Sequence, residues 1–379
     1  MATLVLVGLR AAALDAAERL GHRAVAVVEK APGPATAARL AEAVVAPFDA
    51  PAAHWAEVAR RLQTHRPDAV VALTERSVVP AAHLRRALGL DGLSVEAAHR
   101  CTDKRAMKRA ARAAGVPCAD VVEAEAGLGA DALVERLGLP LVLKTATGSG
   151  GRGTQVVRRR ADVPDALPAG WLAEAFVEGT EMSAELIVQD GRTLFFNPTR
   201  YLVPTWASVV PAELGAAEAG AVRQLAEAAR RALGVERGTT HLELFLTAEG
   251  PVFGELAARP PGGHLMVLVR HAYGFCPWEA ALRVELGEAP ALPQRAHQSA
   301  AVWIVHPGAG TVRRAEGAEA ARALPGVEEV ALRVQPGDAV RARAGSGEEV
   351  GHVIVTAPTA TEAEARVRAA REALRVEVE

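Results

Sequence analysis

The sequence predicts a protein of three consecutive domains, in a mixed α/β and α+β fold class. Its 379 residues correspond to two or three domains of ordinary size. Half of the residues are hydrophobic and 23% are charged, which is typical of a soluble globular chain with a large buried core. The hydrophobic pattern changes near residues 95 and 295, so the chain divides into an α/β section, a mixed section and a smaller α+β section.

The first section, up to about residue 95, alternates short apolar runs with helical stretches. Strands are predicted at 3–7, 24–28, 44–46 and 68–73, and helices at 11–20 and 52–62. This order predicts a parallel sheet with helices on both faces. A nicotinamide dinucleotide site is disfavoured, because Gly8 is followed by Leu9 and Arg10 and not by the glycine fingerprint of such sites.

The middle section is predicted to open on a helix near Asp103, with Thr102 as its N-cap. A segment rich in proline and glycine, 287–294, is typical of a linker. The last section then shows strands at 301–305, 327–334 and 350–356, and helices at 318–324 and 361–374.

Charge and composition argue against several classes of protein. The net charge is −2 and no basic run is longer than residues 158–160, which disfavours nucleic-acid binding. No stretch approaches the roughly 18 apolar residues of a membrane span. The apolar run at the N-terminus is shorter than that of a signal peptide, and no basic segment precedes it. Three cysteines without metal or disulfide spacing favour the reducing cytoplasm.

Lysine is rare in this chain, which has four lysines against 39 arginines. A retained lysine therefore indicates a position that requires a compact ammonium group. Lys144 ends a predicted strand and is followed by a glycine-rich loop, 145–153, and by a second strand. Because glycines allow backbone N–H groups to converge on phosphate oxygens, we interpret this segment as a hairpin flap over a nucleotide. An ordinary glycine-rich hairpin is the alternative.

Two glutamates are predicted to face each other across a second hairpin. A three-residue turn at 248–250 aligns Glu243 with Glu255 and Phe245 with Phe253 on one face, and leaves the other face apolar. Carboxylates this close repel each other unless a divalent cation lies between them, so the pair predicts a magnesium site. Two solvated glutamates are the alternative, and a one-residue slip in register would separate them.

Arg259 follows the second glutamate and precedes two prolines and the pair Gly262 and Gly263. A planar guanidinium holds a phosphoryl group or a carboxylate through two hydrogen bonds, and the glycines offer backbone donors to an anion. The pattern suits a small carboxylate better than a sugar phosphate, which needs further cations. A structural Arg–Glu salt bridge is the alternative.

Taken in order, these motifs resemble the ATP-grasp superfamily. The resemblance rests on Asp103-Lys104, Lys144 with its glycine flap, the segment 174–181, Glu243, Glu255 and Arg259. It implies a Rossmann-like domain that precedes the ATP-grasp domain, then a closing domain, with bounds at 1–98, 99–295 and 296–379. The closing domain is similar to that of bacterial L-amino acid ligases, on motifs that include Val302-Trp303-Ile304-Val305 and Gly351-His352-Val353.

The resemblance implies a role for each matched residue. Lys104 and Lys144 would contact the phosphates of ATP, and Lys144 and Arg259 would act in catalysis. Glu243 and Glu255 would bind Mg²⁺, with Mn²⁺ as a substitute. The flap, the adenine-binding hinge and a ribose-binding glutamate would complete the nucleotide site: Gly148, Ser149, Gly150, Gly151, Gly153, Glu174, Ala175, Val177 and Glu181.

One position departs from the family pattern. Many members carry Asn two residues after the second glutamate, where this chain has Ala257. The change removes one metal ligand, and either His241, opposite Ala257 in the predicted register, or water would fill the gap.

The activity implied is that of an ADP-forming ligase that makes carbon–nitrogen bonds. A carboxylate attacks the γ-phosphate of ATP and releases ADP, and an amine, expected to be an amino acid or a similar compound, then displaces phosphate from the acyl phosphate. From their positions along the chain, substrate contacts are expected from Glu75, Trp206, Ser208, Gly262, Gly263 and His264. The predicted partners are these small molecules, without nucleic acid or membrane, and the oligomeric state stays open, with a homodimer as one option.

Two rival functions remain open on the sequence. The first is a bicarbonate-using carboxylase of the biotin carboxylase or aminoimidazole ribonucleotide type. The second is a nucleotide-binding protein without catalysis, which the retained charged residues disfavour.

Overall fold

The first part of the chain forms a parallel sheet. The structure is a computed structural model and describes residues 1–343, 345 and 347–379. Its first elements are β1 (Thr3–Val7), α1 (Ala11–Arg19), β2 (Arg23–Val28), α2 (Pro34–Ala37), β3 (Glu42–Val45), α3 (Ala52–Leu62), β4 (Ala69–Ala72), α4 (Val78–Leu88) and α5 (Val95–Thr102). The four strands lie in the order β3-β2-β1-β4, all parallel, which confirms the predicted βαβ arrangement.

The middle part consists of five helices and nine strands. Its elements are α6 (Lys104–Ala113), β5 (Val121–Glu123), α7 (Ala130–Leu137), β6 (Leu141–Thr145), β7 (Thr154–Val157), β8 (Trp171–Ala175), β9 (Thr180–Gln189), β10 (Arg192–Val203), β11 (Ala207–Val210), α8 (Ala216–Leu233), β12 (Gly238–Thr247), β13 (Gly250–Ala257), α9 (Leu265–Tyr273) and α10 (Pro277–Glu285). A four-stranded sheet, in the order β5-β8-β6-β7, carries the glycine flap between β6 and β7.

The last part extends a sheet that begins in the middle part. Its elements are β14 (Ser299–Val305), β15 (Gly310–Glu316), α11 (Ala318–Arg322), β16 (Val327–Leu332), β17 (Ala339–Val340), β18 (Gly351–Ala357), α12 (Ala360–Ala373) and β19 (Arg375–Val378). Because β14 pairs with β11, one eight-stranded sheet runs in the order β13-β12-β9-β10-β11-β14-β18-β16. The middle and last parts thus differ in pattern but share one hydrogen-bonded sheet.

The start of α6 differs from its prediction. Asp103, and not Thr102, is the N-cap: its carboxylate accepts hydrogen bonds from the backbone N–H groups of Arg105 and Ala106. Thr102 instead ends α5, where its hydroxyl donates to the carbonyl of Ala98. Aspartate also carries the negative charge that the positive end of a helix favours.

The largest hydrophobic core lies between the helices of the first part and the strands β9, β12 and β13. Trp55 and Phe253 are each 1% exposed within it. The core therefore fixes the strands that carry the acidic residues against the first part of the chain. Among the helices of the described residues, none combines the length and the apolarity needed to cross a bilayer.

Candidate active site

One face of the large sheet is polar where β9, β12 and β13 run side by side. On β9, Glu181, Ser183 and Glu185 alternate with core residues, of which Met182 and Ala184 are fully buried. Side chains alternate between the two faces of a strand, so the three polar residues share one face. Partners on β12 extend this face, since Glu243 lies opposite Ser183. The polar face is the floor of the candidate site.

The two glutamates of the β12–β13 hairpin face each other as predicted. The register pairs His241 with Ala257 and Glu243 with Glu255. The predicted three-residue turn is wrong, because Thr247 pairs with Gly250 around a two-residue turn. A register shift after Glu243 compensates for this difference and leaves the glutamate pair in place.

The extra residue of this β-bulge is Gly254, where an added Cβ would lie 2.8 Å from the carbonyl oxygen of Glu243. Beyond the bulge, Phe253 pairs with Leu244 and lies in the core, so its predicted place beside the glutamates is wrong. The two halves of the hairpin, on either side of the bulge, therefore have different surroundings. The half near the turn packs into the core, and the half beyond it presents the carboxylates.

Lys104 and Lys144 converge on Glu255 from two different elements. The Lys144 Nζ lies 3.3 Å from Glu255 Oε1 and 3.1 Å from Glu174 Oε2. The Lys104 Nζ lies 3.3 Å from Glu255 Oε2 and donates to the carbonyl of Gly148 in the flap, at 2.9 Å. The two carboxylates raise the pKa of Lys144 despite the opposing effect of burial, so this ammonium stays charged. Two cations and the flap backbone thus meet at Glu255.

Lys108 is a site residue that sequence reasoning missed. It is 2% exposed, and its Nζ lies 3.5 Å from Glu174 Oε1 and 5.5 Å from the ring centre of Phe253. Glu174 is therefore shared between Lys108 and Lys144, and these cations lower its pKa against the opposing effect of burial. Lys104 and Lys108 are four residues apart and lie on one face of α6, which was the available signal.

His241 is held as a cation below the acidic pair. Its Nδ1 lies 3.0 Å from Glu185 Oε1, and its Nε2 lies 3.6 Å from Glu243 Oε1. Burial opposes the charge, but these two carboxylates raise the pKa of His241 to about 9. In the metal-free chain His241 is therefore the partner of Glu185 and Glu243, and its role as a substitute for the ligand that Ala257 lacks stays a prediction.

Glu185 anchors His241 through a buried network that the sequence analysis did not foresee. Its carboxylate accepts hydrogen bonds from the hydroxyls of Ser183 and Thr199, at 2.7 and 2.6 Å, and from the amide of Asn197, at 2.7 Å. The Tyr273 hydroxyl donates in turn to the Asn197 carbonyl oxygen at 3.1 Å. Such a satisfied network holds the imidazole, and through it Glu243, in one orientation.

The negative charge of Glu181 is unfavourable in the structure, because the side chain is partly buried and lies near Glu243. Burial and the nearby carboxylate of Glu243 raise the pKa of Glu181 to about 7, against the attraction of Lys144. The folded chain therefore binds this proton more tightly than the unfolded chain between about pH 4.5 and 7, and the free energy of unfolding falls as pH rises through this window. A bound cation would remove that cost.

We accordingly expect Glu181→Gln to raise the melting temperature at pH 8 more than at pH 5. The measurement is thermal unfolding in EDTA without nucleotide. Glu178→Gln, at an exposed position of the same segment, is the control and should shift the two melting temperatures alike. An equal shift for Glu181→Gln at both values of pH would contradict the cluster of carboxylates.

Arg259 lies beside the carboxylate of Glu75 and near the guanidinium of Arg10. Its Nε donates to Glu75 Oε2 at 3.0 Å, and its Nη1 donates to the carbonyl of Pro260. Burial raises the pKa of Glu75, although Arg259 and Lys104 act in the opposite direction. Partial burial and then repulsion from Arg259 lower the pKa of Arg10, which sequence reasoning did not select. The guanidinium groups of Arg10 and Arg259 and the carboxyl group of Glu75 therefore lie near one another.

The flap has the hairpin geometry that the sequence predicts. Lys144 pairs with Thr154 across β6 and β7, and Gly148, Gly150, Gly151 and Gly153 all have positive φ. At Gly153, φ is +72° and an added Cβ would lie 2.8 Å from Thr145 Oγ1. The turn thus requires glycine for both conformation and space.

The remaining predicted substrate residues lie on other elements. Trp206 is covered by the Arg343 guanidinium, 4.2 Å from the ring centre, and Ser208 lies in β11. His264 follows Gly262 and Gly263 and contacts Glu349. In the described part of the chain, these three residues make no hydrogen bond or ion pair with Arg259 or Lys144. Their substrate roles stay predictions.

Models of three protein domains match successive parts of the chain. The ATP-grasp N-terminal domain matches residues 14–92, the ATP-grasp domain residues 109–270, and the L-amino acid ligase C-terminal domain 2 residues 302–379. The matches follow the order of the three sections described above.

Three curated relatives span most of this chain. A formate-dependent phosphoribosylglycinamide formyltransferase of Anaeromyxobacter dehalogenans is 31% identical over 347 residues, 83% of each chain. An L-arginine-specific L-amino acid ligase of Bacillus subtilis is 26% identical over 293 residues, 72% of this chain and 71% of that protein. An uncharacterized protein of Sinorhizobium fredii, y4rH, is 28% identical over 306 residues; the matched part is 76% of this chain and 64% of that protein.

Solved structures share the fold over the whole chain. The L-amino acid ligase from Bacillus licheniformis superimposes with a TM-score of 0.84 at 22% identity, covering 100% of this chain and 99% of that one. The N5-carboxyaminoimidazole ribonucleotide synthetase from Thermotoga maritima gives a TM-score of 0.78 at 19% identity, covering 100% of both chains. With the three domain models in order and the 31% identical relative, these comparisons show that the chain belongs to the ATP-grasp superfamily.

Proposed function

We propose that this protein is an ATP-dependent carboxylate–amine ligase that uses an amino acid or a similar compound and forms an amide bond through an acyl phosphate. The observation that carries the proposal is the convergence of Lys104, Lys144 and Glu255 beneath the glycine flap, with Arg259 on the segment that follows. The match of the last section to an L-amino acid ligase domain supports the same activity.

The cations of the site have distinct tasks in this reaction. Lys104 and Lys144 bind the phosphates of ATP and exchange their present carboxylate partners for phosphate oxygens. Arg259 neutralises charge that develops on the transferring phosphoryl group and on the tetrahedral carbon–oxygen centre of the second step. The flap covers the nucleotide and excludes water, which would otherwise hydrolyse the acyl phosphate. Flap and hinge residues keep the nucleotide contacts assigned to them above.

The donor set fits Mg²⁺. Glu243 and Glu255 face each other with side chains 43% and 25% exposed, and Glu181 lies near enough for its pKa to respond to them. Carboxylate oxygens are the ligands that Mg²⁺ prefers, and Mn²⁺ accepts the same set. When bound, the ion supplies positive charge that offsets the charge of the phosphates. Ala257 leaves this set one side chain smaller than in many relatives.

The charged groups around Arg259 suit a zwitterionic amino acid. Arg10 and Arg259 offer two cations to a carboxylate, and the half-buried Glu75 offers an acceptor to an ammonium group. A sugar phosphate would need further cations, and Arg200, the one cation of segment 200–211, is paired with Glu364 at 2.6 Å. The charges therefore favour a small amphoteric substrate over a ribonucleotide.

The carboxylase alternative has its own support. Two of the similar proteins have names that refer to ribonucleotide substrates: the phosphoribosylglycinamide formyltransferase and the N5-carboxyaminoimidazole ribonucleotide synthetase. The two functions differ in the co-substrate that triggers ATP turnover. An amino acid pair would do so for the ligase, and bicarbonate with a ribonucleotide for the carboxylase.

We expect ADP and phosphate, and an amide product, when the protein is incubated with Mg-ATP and an active pair of amino acids. The measurement combines phosphate release with mass spectrometry over pairwise mixtures that include non-proteinogenic amino acids. Chromatography that found AMP and pyrophosphate would reject the acyl phosphate. No condensation product from any pair, with ADP release on bicarbonate and a ribonucleotide, would replace the ligase by the carboxylase.

The proposal also covers the binding partners, the assembly and the cellular compartment of the protein. The partners are a carboxylate and an amine of low molecular mass, and a homodimer is the assembly to test by light scattering. The cysteine spacing supports a reducing compartment, the cytoplasm.

A further inference from the structure

A cluster of two histidines and a glutamate joins α9 to β18, apart from the carboxylate pair. One nitrogen from each of His264 and His352 and one oxygen of Glu349 lie within 4.8 Å of one another. The Glu349 carboxylate lies 2.9 Å from His264 Nε2 and 3.2 Å from His352 Nδ1. Tetrahedral ligands of one Zn²⁺ are separated by roughly 3.3 Å, given metal–ligand distances near 2 Å. We propose that these three side chains bind a divalent transition metal of the zinc class.

The contacts of His352 are compatible with this assignment. Its Nε2 lies 2.9 Å from Glu329 Oε1, which can hold a proton on that nitrogen. A neutral ring of this kind would present the lone pair of Nδ1 to the Nη2 of Arg333, 3.4 Å away, and to a metal ion that replaced it. A metal ligand held on its far side by a carboxylate has this arrangement, in which the outer acid fixes the ring.

The second histidine is held in place by the backbone. His264 adopts φ of +62°, a conformation that non-glycine residues seldom take, directly before α9. Its ring centre is 4.0 Å from that of His352. His352 and Glu349 are 3% and 7% exposed, whereas the side chain of His264 is 20% exposed. The ligand atoms thus lie in a mostly buried cleft that one ring leaves open to solvent.

Arg333 occupies the place of the cation in the structure. Its Nη1 lies 2.9 Å from Glu349 Oε1, and its Nη2 lies 3.4 Å from His352 Nδ1. The Arg333 side chain is 52% exposed, so it can leave the cluster without disturbing the core. Metal binding would displace this guanidinium into solvent.

The donor set selects a different ion from that of Glu243 and Glu255. Two imidazoles and one carboxylate favour Zn²⁺, Co²⁺ or Ni²⁺ over Mg²⁺, which prefers oxygen ligands. Three protein ligands leave a fourth position for water or a substrate group. Such an ion would tie the segment after Arg259 to the last section of the chain.

The test is a Co²⁺ titration of the full chain followed by absorption, with excess Mg²⁺ and ADP present to fill the carboxylate pair. We expect one Co²⁺ per chain with the ligand-field spectrum of a tetrahedral nitrogen-containing site, and its displacement by Zn²⁺. His264→Ala, Glu349→Gln and His352→Ala should each remove this spectrum. His65→Ala is the matched control, because His65 forms an ordinary pair with Glu42 at 2.7 Å, and it should leave the spectrum unchanged.

Two variants that remove no ligand keep the test independent of folding. Arg333→Gln should bind Co²⁺ at least as tightly as the wild type, because the competing cation is gone. Glu329→Gln should weaken binding by about 10- to 100-fold, the usual effect of losing the outer partner of a histidine ligand. The proposal is overturned if Co²⁺ gives only an octahedral oxygen-type spectrum, if His352→Ala binds as the wild type does, or if Arg333→Gln loses the site.

Discussion

Glu255→Gln is expected to reduce turnover by roughly 100-fold or more, the scale seen when one preorganised electrostatic contact is removed from an active site. Gln keeps the shape of the side chain but not the charge that faces Glu243 and holds both Lys104 and Lys144 at 3.3 Å. Metal binding and the placement of two phosphate-binding ammonium groups therefore weaken together. The measurement is ADP release, with the active substrate pair, across a titration of Mg²⁺.

The fold should survive this substitution. The Glu255 side chain is 25% exposed, and a glutamine of the same shape still offers its amide oxygen as an acceptor to a lysine. Glu249→Gln is the matched control, since Glu249 lies in the exposed turn of the same hairpin. We expect it to retain wild-type turnover. Near-normal activity of Glu255→Gln with an unchanged Mg²⁺ requirement would mean that the carboxylate pair is not the metal site.

The sequence predicts the frame of this site well because local patterns determine it. The continuous apolar runs at β1 and β2 are typical of strands that are buried on both faces, as in a parallel sheet. Both strands begin and end within one residue of the predicted limits. The pairing of Glu243 with Glu255 is also confirmed, although for an incomplete reason. The turn is one residue shorter than expected, and the bulge at Gly254 restores the register. A bulge depends on the neighbouring strand, and counting residues across a hairpin turn does not take that strand into account.

The parts that escaped prediction depend on residues far apart in the chain. Glu185 binds His241, 56 residues later, and His264 meets Glu349, 85 residues later. No periodicity links such residues, because the sheet order that joins them is set by tertiary packing. Local signs existed only for single members, such as the alternation of polar residues at 181, 183 and 185.

Arg259→Lys is expected to lower kcat by roughly 100-fold while the KM for ATP changes little, because a fixed donor aimed at developing charge acts in the transition state. Lysine keeps one positive charge but loses the planar fork that holds an oxyanion with two hydrogen bonds. Arg313→Lys is the matched control, since Arg313 forms an exposed ion pair with Glu377 at 2.9 Å. It should leave both kinetic parameters unchanged.

A double-mutant cycle with Glu75 separates catalysis from a structural ion pair. Glu75 receives the Arg259 Nε–H at 3.0 Å, so each residue also stabilises the other. Arg259→Gln removes the charge that pairs with Glu75. If Arg259 serves only to neutralise Glu75, adding Glu75→Gln restores kcat, because no carboxylate is left unpaired. If Arg259 acts on the transferring group, the double variant stays as slow as Arg259→Gln alone. We expect the second result, and recovery of kcat in the double variant would remove Arg259 from the catalytic residues.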